Sequence, residues 1–271
     1  MYKRASFTLK SVEQHLSGWL KTYSSDPVSR QAEELPLRRD MATLLTFVRD
    51  NKVVGIQGTG NMPLKAVREV TSRFVNPPAL EDKIGDKTYK LRSEEHLWPL
   101  HYLHILADVG GLLKAASARR WTLTRQGERF LEADPLLQTA FLLAVWWRRV
   151  NWLVAYPFEG MGDALPPYFN RATLAVLRSL PIGADVPFDE FADSLIGVTK
   201  LTWTAQDSTM ATTLLRGSIK RMVISVLEDF GAVECSYREE HLGKGTITQL
   251  DAFKITPMGS ALLDAAIMAA T

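Results

Sequence analysis

The sequence predicts a mainly α-helical chain with small β-hairpins, of the α+β class, in which an apolar helix joins two domains of one plan. Three observations predict it. Residues 105–131 and 226–263 share one pattern of helix, glycine, hairpin and Thr-x-x-Gly; apolar residues recur at helical spacing upstream of both; and a 13-residue apolar run lies between them. Self-similarity of this kind indicates a repeated unit. A length of 271 residues suits two domains of ~100–150 residues each.

The first copy begins with two amphipathic helices. Helix one has a single apolar stripe at spacings of three and four, formed by Leu37, Met41, Leu44, Leu45 and Val48. A β-branched run at 53–56 and a glycine turn at 58–60 follow. Asn61 is placed to cap helix two, whose first turn accommodates Pro63 and which ends before Pro77.

Helix three and a hairpin complete the first copy. Residues 76–92 predict a polar, lysine-containing loop. Helix three is predicted over residues 93–109, because Ser93 can cap its first turn. The remaining elements are two short strands and a terminal helix, predicted at 112–114, at 121–124 and from 126 onward.

The second copy repeats this order with a longer hairpin. Asp108-Val109-Gly110 aligns with Asp229-Phe230-Gly231 at an offset of 121, whereas Thr124 and Gly127 align with Thr256 and Gly259 at an offset of 132. The difference falls within the hairpin, which joins fixed elements and can vary in length. The predicted elements are helices at about 170–180, 188–196 and 209–230, a hairpin across 232–256 and a final helix to about 268.

An apolar segment connects the copies. The chain divides into an N-terminal helical extension (1–35), a first domain (36–131), a connecting helix and linker (132–169) and a second domain (170–271). The run 135–147 is apolar nearly all round, which indicates a buried helix, and it is shorter than the ~20 residues of a membrane span. We expect residues 135–153 to lie between the domains, or to bind a second copy of the chain or another protein. The predicted interface residues are Leu142, Trp146, Trp147 and Trp152.

Three helices followed by a β-hairpin resemble the winged helix-turn-helix superfamily. The resemblance is carried by the helix–Gly–strand–hairpin–(Leu/Ile)-Thr-x-x-Gly pattern at 105–131 and 226–263, and by Thr-Gly-Asn-Met-Pro-Leu-Lys at 59–65. It covers residues 36–131 and 170–268. The resemblance implies that helix three enters the DNA major groove while the hairpin, or wing, contacts phosphates. Other members of the superfamily are protein-interaction modules.

Positive charge is concentrated in the first domain. Residues 36–131 carry a net charge of +6 (16 Lys and Arg, 10 Asp and Glu), whereas residues 170–271 carry −3 (9 and 12). Such asymmetry indicates that a polyanion would contact mainly the first half. The predicted phosphate contacts of the first domain are Lys65, Arg68, Lys87, Lys90, Arg92, Lys114, Arg119, Arg120 and Arg125.

The second domain has the better candidate for a recognition helix. Residues 93–109 contain neither Lys nor Arg, and their predicted polar surface is Glu94, Glu95, His96, His101, His104 and Asp108. Arg216, Lys220 and Arg221 lie instead on the N-terminal half of the other helix three, where base-contacting side chains sit. We therefore predict them as base contacts. A structural role, in which they pair with Glu228, Asp229 or the linker, stays open.

No motif predicts catalysis. Gly58-Thr59-Gly60 lacks the Gly-Lys-Ser/Thr ending of a phosphate loop, and Cys235, the single cysteine, has no signature of a nucleophile. His101 and His104 lie one helical turn apart, and His96 and Glu94 or Glu95 lie nearby, so a metal site is conceivable. The spacing of a third ligand is nevertheless poor for zinc. The pattern favours packed, hydrogen-bonded histidines. We expect a protein that is not an enzyme and that has no cofactor or metal.

Together these features predict a non-catalytic DNA-binding protein of bacterial type, a transcriptional or other DNA-associated regulator that binds double-stranded DNA. Two alternatives stay open: a winged-helix adaptor for protein–protein interaction in a larger complex, and a plasmid-type replication initiator. The single cysteine, and first residues without the apolar core of a signal peptide, predict a cytoplasmic location.

Overall fold

The chain divides into two units, Met1–Val150 and Asn151–Thr271. The computed structural model describes residues 7–23, 27–84, 87–155, 165–204, 207–242 and 245–268. Both units are mainly helical and carry small antiparallel sheets, which confirms the predicted α+β class. Among the described residues, no helix combines the length and the apolar character that crossing a membrane requires.

The elements of unit 1 alternate between helices and short hairpins. Its helices are α1 (Leu9–Tyr23), α2 (Pro27–Glu34), α3 (Pro36–Asp50), α4 (Leu64–Thr71), α5 (Trp98–Val109), α6 (Arg125–Glu132) and α7 (Pro135–Arg148). Its strands are β1 (Glu81–Ile84), β2 (Lys87–Lys90), β3 (Leu113–Lys114) and β4 (Thr122–Leu123). β1 pairs antiparallel with β2, and β3 with β4.

The segment predicted as an N-terminal extension contributes to the core of unit 1. Helices α1 and α2 both contact α7, and Leu16 of α1 and Ala32 of α2 are fully buried. At the start of α3, Arg38 Nη1 donates to Gln138 Oε1 of α7 at 2.8 Å. Helices α1 and α2 therefore cover α7 rather than extending away from the domain.

Helix α7 lies at the centre of unit 1 and is not a connector between the domains. Asp134 caps its first turn, because a carboxylate oxygen accepts from Leu136 N at 2.9 Å. Residues 136–147 are all buried, and the helix contacts α1, α2, α3 and α5 of the same unit. An all-apolar helix indicates burial, and here unit 1 itself provides the surfaces that bury it.

The four side chains predicted as interface residues are buried within the chain. Their exposed fractions are 0, 0, 3 and 1% for Leu142, Trp146, Trp147 and Trp152. Trp152 belongs to unit 2, where its ring contacts that of Phe169 edge-on with centroids 5.9 Å apart. This burial counts against contact with a second chain, because side chains that fill a core are not accessible to a partner.

Two local predictions for the first domain are also wrong. Residues expected in a polar loop form the β1–β2 hairpin, in which Glu81 pairs with Lys90. Helix three does not begin at residue 93, because a 3-10 turn (Glu94–His96) precedes α5. Pro99 explains where α5 begins, since a proline without an N–H fits only the first turn of a helix.

Unit 2 has the longer hairpin. Its helices are α8 (Trp152–Ala155), α9 (Phe169–Ser179), α10 (Phe188–Thr199), α11 (Ser208–Ile219), α12 (Ser225–Asp229) and α13 (Pro257–Met268), and a π-helical segment (Lys220–Ile224) joins α11 to α12. Its strands are β5 (Val186–Pro187), β6 (Val233–Leu242) and β7 (Gly245–Ile255). They form one antiparallel sheet in the order β5–β7–β6.

In both units the segment between two helices, α3 and α4 in unit 1 and α9 and α10 in unit 2, forms a β-bridge or strand pair beside the later hairpin. In unit 1, Val54 lies between α3 and α4 and forms an antiparallel bridge with Arg120, just before β4. In unit 2, β5 lies between α9 and α10 and pairs with β7, where Val186 is opposite Phe253. The two units thus share this pairing of the inter-helix segment with the second hairpin strand, whereas the β1–β2 hairpin between α4 and α5 has no counterpart among the described residues of unit 2.

A threonine joins the hairpin of unit 1 to the helix that follows it. Thr124 Oγ1 donates to Gly111 O at 2.7 Å and accepts from Gly127 N at 3.0 Å. It therefore caps α6 and fixes this helix to the residue before the hairpin. Gly127 permits the contact, since a Cβ built there would lie 2.2 Å from the carbonyl oxygen of Leu112.

The same joint recurs in unit 2 and corrects the predicted alignment. Thr256 Oγ1 donates to Gly231 O at 2.8 Å and accepts from Gly259 N at 2.8 Å. Gly231 and Gly111 both have left-handed backbones, with φ of 62° and 66°. Gly231 is therefore equivalent to Gly111 and not to Gly110, so the offset before the hairpin is 120 residues and not 121.

We expect Gly259→Ala to destabilise unit 2 by about 1–3 kcal/mol, the usual cost of forcing extra atoms into a closely packed site. The new Cβ would lie 1.8 Å from Ala232 O, so backbone must move. Gly217→Ala in α11 is the matched control, because a Cβ there meets no atom within 4 Å. The control should stabilise the chain by about 0.5–1 kcal/mol. Urea denaturation followed by circular dichroism measures both, and equal midpoints would contradict the prediction.

Candidate nucleic-acid interface

The wing of unit 1 is fixed to the turn that precedes α4. Gly55 N donates to Arg119 O at 3.0 Å, and Ala118 N donates to Gly55 O at 3.0 Å. Arg120 forms the bridge to Val54. Two candidate phosphate-binding arginines therefore sit on a loop whose backbone is held by the segment leading into α4.

The predicted phosphate contacts of unit 1 are all exposed. They are Lys65 and Arg68 on α4, Lys87 and Lys90 on β2, Arg92, Lys114 on β3, Arg119 and Arg120 on the wing, and Arg125 at the start of α6. None of the nine forms an ion pair with a carboxylate among the residues that the structure describes. The nearest acid given by the strand register is Glu81, which lies opposite Lys90 in the β1–β2 hairpin. Lys90 and Arg92 share the lining of one pocket, beside His96.

Arg216 of unit 2 is not free to contact bases. Its Nε and Nη2 lie 2.8 and 2.6 Å from the two carboxylate oxygens of Asp193, and its Nη1 lies 2.9 Å from Asp189. Both acids belong to α10. This pairing counts against the prediction for Arg216, because a guanidinium that binds one carboxylate with two nitrogens has few donors left for a base.

The other two predicted base contacts differ from each other. Lys220 is partly buried, and its Nζ lies 5.5 Å from the ring centroid of Tyr237, a cation–π contact. Arg221 is exposed. The structure thus leaves Arg221 as the most accessible of the three predicted side chains.

Other cations of unit 2 are paired on its surface. Arg178 contacts Asp264 at 2.9 Å, Arg238 contacts Asp251 at 3.1 Å and Lys254 contacts Glu234 at 2.8 Å. Exposed pairs of this kind add little stability. Each pair occupies a cation that could otherwise contact a phosphate.

The start of α5 turns a carboxylate inward and forms a cluster that the sequence did not predict. Glu94 is fully buried, although it was expected on the polar surface of helix three. His104 Nδ1 lies 2.6 Å and His101 Nδ1 lies 3.3 Å from Glu94 Oε1. The other oxygen, Oε2, accepts from Met62 N at 2.5 Å.

His96 lies outside the cluster and contacts Ser93 instead. The signal in the sequence was the spacing of seven and ten residues from Glu94 to the histidines, which is two and three helical turns.

The two histidines keep the buried carboxylate ionised. Burial alone would raise the pKa of Glu94, but the hydrogen bonds from His101 and His104 outweigh it and, with that from Met62 N, lower the pKa to about 2. A buried charge is tolerated only when it is paired and hydrogen-bonded. The cluster therefore ties α5 to the turn before α4 through an ionised group.

The same cluster reaches the wing. The rings of His104 and Trp121 lie 4.3 Å apart, centroid to centroid, and Trp121 Nε1 donates to Gly60 O at 3.2 Å. Trp121 directly follows the two wing arginines in the chain. Helix α5, the wing and the glycine turn consequently meet at one indole.

The geometry around the single cysteine gives it no nucleophilic character. Cys235 lies in β6 and is half-buried. Burial raises the pKa of its thiol to about 12. Since the thiolate is the reactive form, Cys235 is an inert side chain of the sheet.

Glu94 should make the stability of the chain fall at acid pH. Its folded pKa is about 2 against an ordinary value of 4.5, so its contribution is complete above pH 4.5 and is lost as the pH falls through 2. The difference corresponds to about 3 kcal/mol. Urea midpoints of the wild type and of Glu94→Gln, measured with EDTA from pH 7 down to acid, should therefore converge. Glu95→Gln, on the neighbouring exposed carboxylate, is the matched control, and a constant gap between wild type and Glu94→Gln would contradict the prediction.

The chain was compared with models of protein families, with curated proteins and with solved structures. No family model, curated protein or solved structure matches it.

Proposed function

We propose that the chain is a non-catalytic protein that binds double-stranded DNA, with unit 1 contacting the phosphate backbone through its wing and α4. We also propose that both units are winged helices. A transcriptional or other DNA-associated regulatory role is the function class that such binding would serve.

The order of elements supports the winged-helix proposal. In each copy three helices precede the hairpin proposed as the wing, with the β1–β2 hairpin inserted before the third helix of unit 1. The segment between the first two helices lies against the second strand of that wing. A helix follows the hairpin and is joined to it by the same threonine and glycine. Winged helices combine a helix-turn-helix with such a hairpin, which places the wing beside the helices that contact DNA.

The observation that carries the DNA proposal is that the predicted cations of unit 2 are more often ion-paired with acids than those of unit 1. The nine predicted cations of unit 1 form no ion pair with a described acid, although Glu81 lies opposite Lys90 across the β1–β2 hairpin. In unit 2, Arg216 and three other cations are paired. Only a cation that contacts a phosphate releases the counterions that drive binding to DNA. Unit 1 is therefore the better surface for the polyanion.

Helix α5 has few side chains that could recognise DNA bases. It contains no Lys, Arg, Asn or Gln, which are the side chains that most often form paired hydrogen bonds with bases. Contacts to phosphate position a protein on DNA but do not identify the bases. We therefore expect affinity that depends strongly on salt and only weakly on sequence.

The double variant Arg119→Ala/Arg120→Ala should weaken duplex binding and lower the slope of log K against log salt by about 2, roughly one for each arginine that no longer reaches a phosphate. Fluorescence anisotropy of two unrelated short duplexes, titrated between about 50 and 200 mM salt, measures both quantities. The decrease in affinity should be equal for the two sequences.

Arg49→Ala/Arg73→Ala is the matched control. It removes the same charge from exposed positions of the same unit, but these arginines are paired with Asp50 at 2.9 Å and Glu69 at 2.8 Å. Its salt slope should remain close to that of the wild type. Absence of duplex binding at low salt, or equal slopes for the two double variants, would overturn the proposal.

A protein-interaction adaptor is the second candidate. The observation that favours it is the absence of Lys and Arg from α5, together with the acidic residues that hold Arg216 in unit 2. The anisotropy titration separates the two functions, because an adaptor of this kind would leave both duplexes unbound.

A further inference from the structure

The structure supplies the third ligand that the sequence pattern lacked. Glu94, His101 and His104 each offer one ligand atom, and these atoms all lie within 4.8 Å of one another. The histidines come from successive turns of α5 and the carboxylate from the 3-10 turn before it. We propose that these three residues bind a divalent transition-metal ion, with zinc as the best-fitting class. This inference goes beyond the proposed function.

The distances suit a tetrahedral ion. Zinc binds histidine nitrogen and carboxylate oxygen at about 2.0–2.2 Å, so two ligand atoms of a tetrahedral site lie roughly 3.3 Å apart. His101 Nδ1 is already 3.3 Å from Glu94 Oε1. His104 Nδ1 is closer, at 2.6 Å, and would move outward by about 0.7 Å to reach the tetrahedral separation. That is a small rotation of one imidazole.

The chemistry of the donors also favours zinc. Two imidazoles and one carboxylate form a mixed nitrogen and oxygen set, whereas magnesium and calcium are bound by oxygen ligands. An ion would take the position that the Nδ1 protons occupy. A neutral imidazole then carries its single proton on Nε2, and a protonated one releases a proton to solvent.

The surroundings are arranged like the outer shell of a metal site. Met62 N fixes the second carboxylate oxygen, and Trp121 lies against His104. Outer partners of this kind orient the ligands and raise metal affinity. The side chains of His101 and His104 are 23 and 13% exposed, so an ion can enter from solvent and a water molecule can complete its coordination.

The test is zinc binding by the full chain after removal of metal with EDTA. Equilibrium dialysis should find about one zinc ion per chain, and cobalt should give the visible absorption of a tetrahedral site. His101→Ala should lower zinc affinity by more than the 10–100-fold typical of outer-shell variants. Zinc should also raise the thermal unfolding temperature of the wild type, because it binds the folded state.

His96→Ala is the matched control, since this exposed histidine lies outside the cluster, and its zinc affinity should equal that of the wild type. Circular dichroism establishes that His101→Ala is folded, and His104→Ala tests a second ligand independently. Zinc binding that is absent from the wild type, or that survives both cluster variants, overturns the proposal. Because no nucleic acid is present, the result is independent of the DNA titration.

Discussion

The joint between hairpin and last helix is the constraint on which both units depend. One threonine hydroxyl donates to a carbonyl at the end of the preceding helix and accepts from the glycine N–H three residues later, at Thr124 and Gly127 and again at Thr256 and Gly259. The glycines are required because a Cβ at these two positions would lie 2.2 and 1.8 Å from a carbonyl oxygen. Three elements of each unit are thereby held at one point, and the wing projects from it.

This joint also explains which parts of the fold the sequence could predict. Local chemistry, such as a capping threonine followed by a glycine, leaves a pattern that recurs at fixed spacing. The left-handed backbone of Gly111 leaves no such pattern in the sequence. Because residue 110 is also a glycine, the sequence does not show which of the two adopts this conformation. The burial of α7 could be predicted from its apolar surface, but the elements that bury it could not. Contacts between residues far apart in the chain, such as Arg38 with Gln138, follow only from the tertiary structure.

The same distinction applies to the candidate site. Each cation can be found in the sequence, but whether it is available depends on acids brought close by folding. Arg216 is separated from Asp189 and Asp193 by more than 20 residues, so its pairing has no local signal. Glu94 was expected at the surface because a continuous helix and its dipole would favour an acid there. The 3-10 turn before Pro99 instead directs this carboxylate toward the histidines.

The buried cluster and the cationic surface of unit 1 share structural elements. Glu94 holds the turn before α4 through Met62 N, and Trp121 lies against His104 while its N–H holds Gly60 O. Closely packed interiors do not deform gradually, so a displacement of His104 must be accommodated by Trp121 or by the wing that precedes it. The position of Arg120 relative to α4 therefore depends on a carboxylate that itself contacts no solvent. The cluster and the wing that we propose to contact DNA are held by one set of contacts.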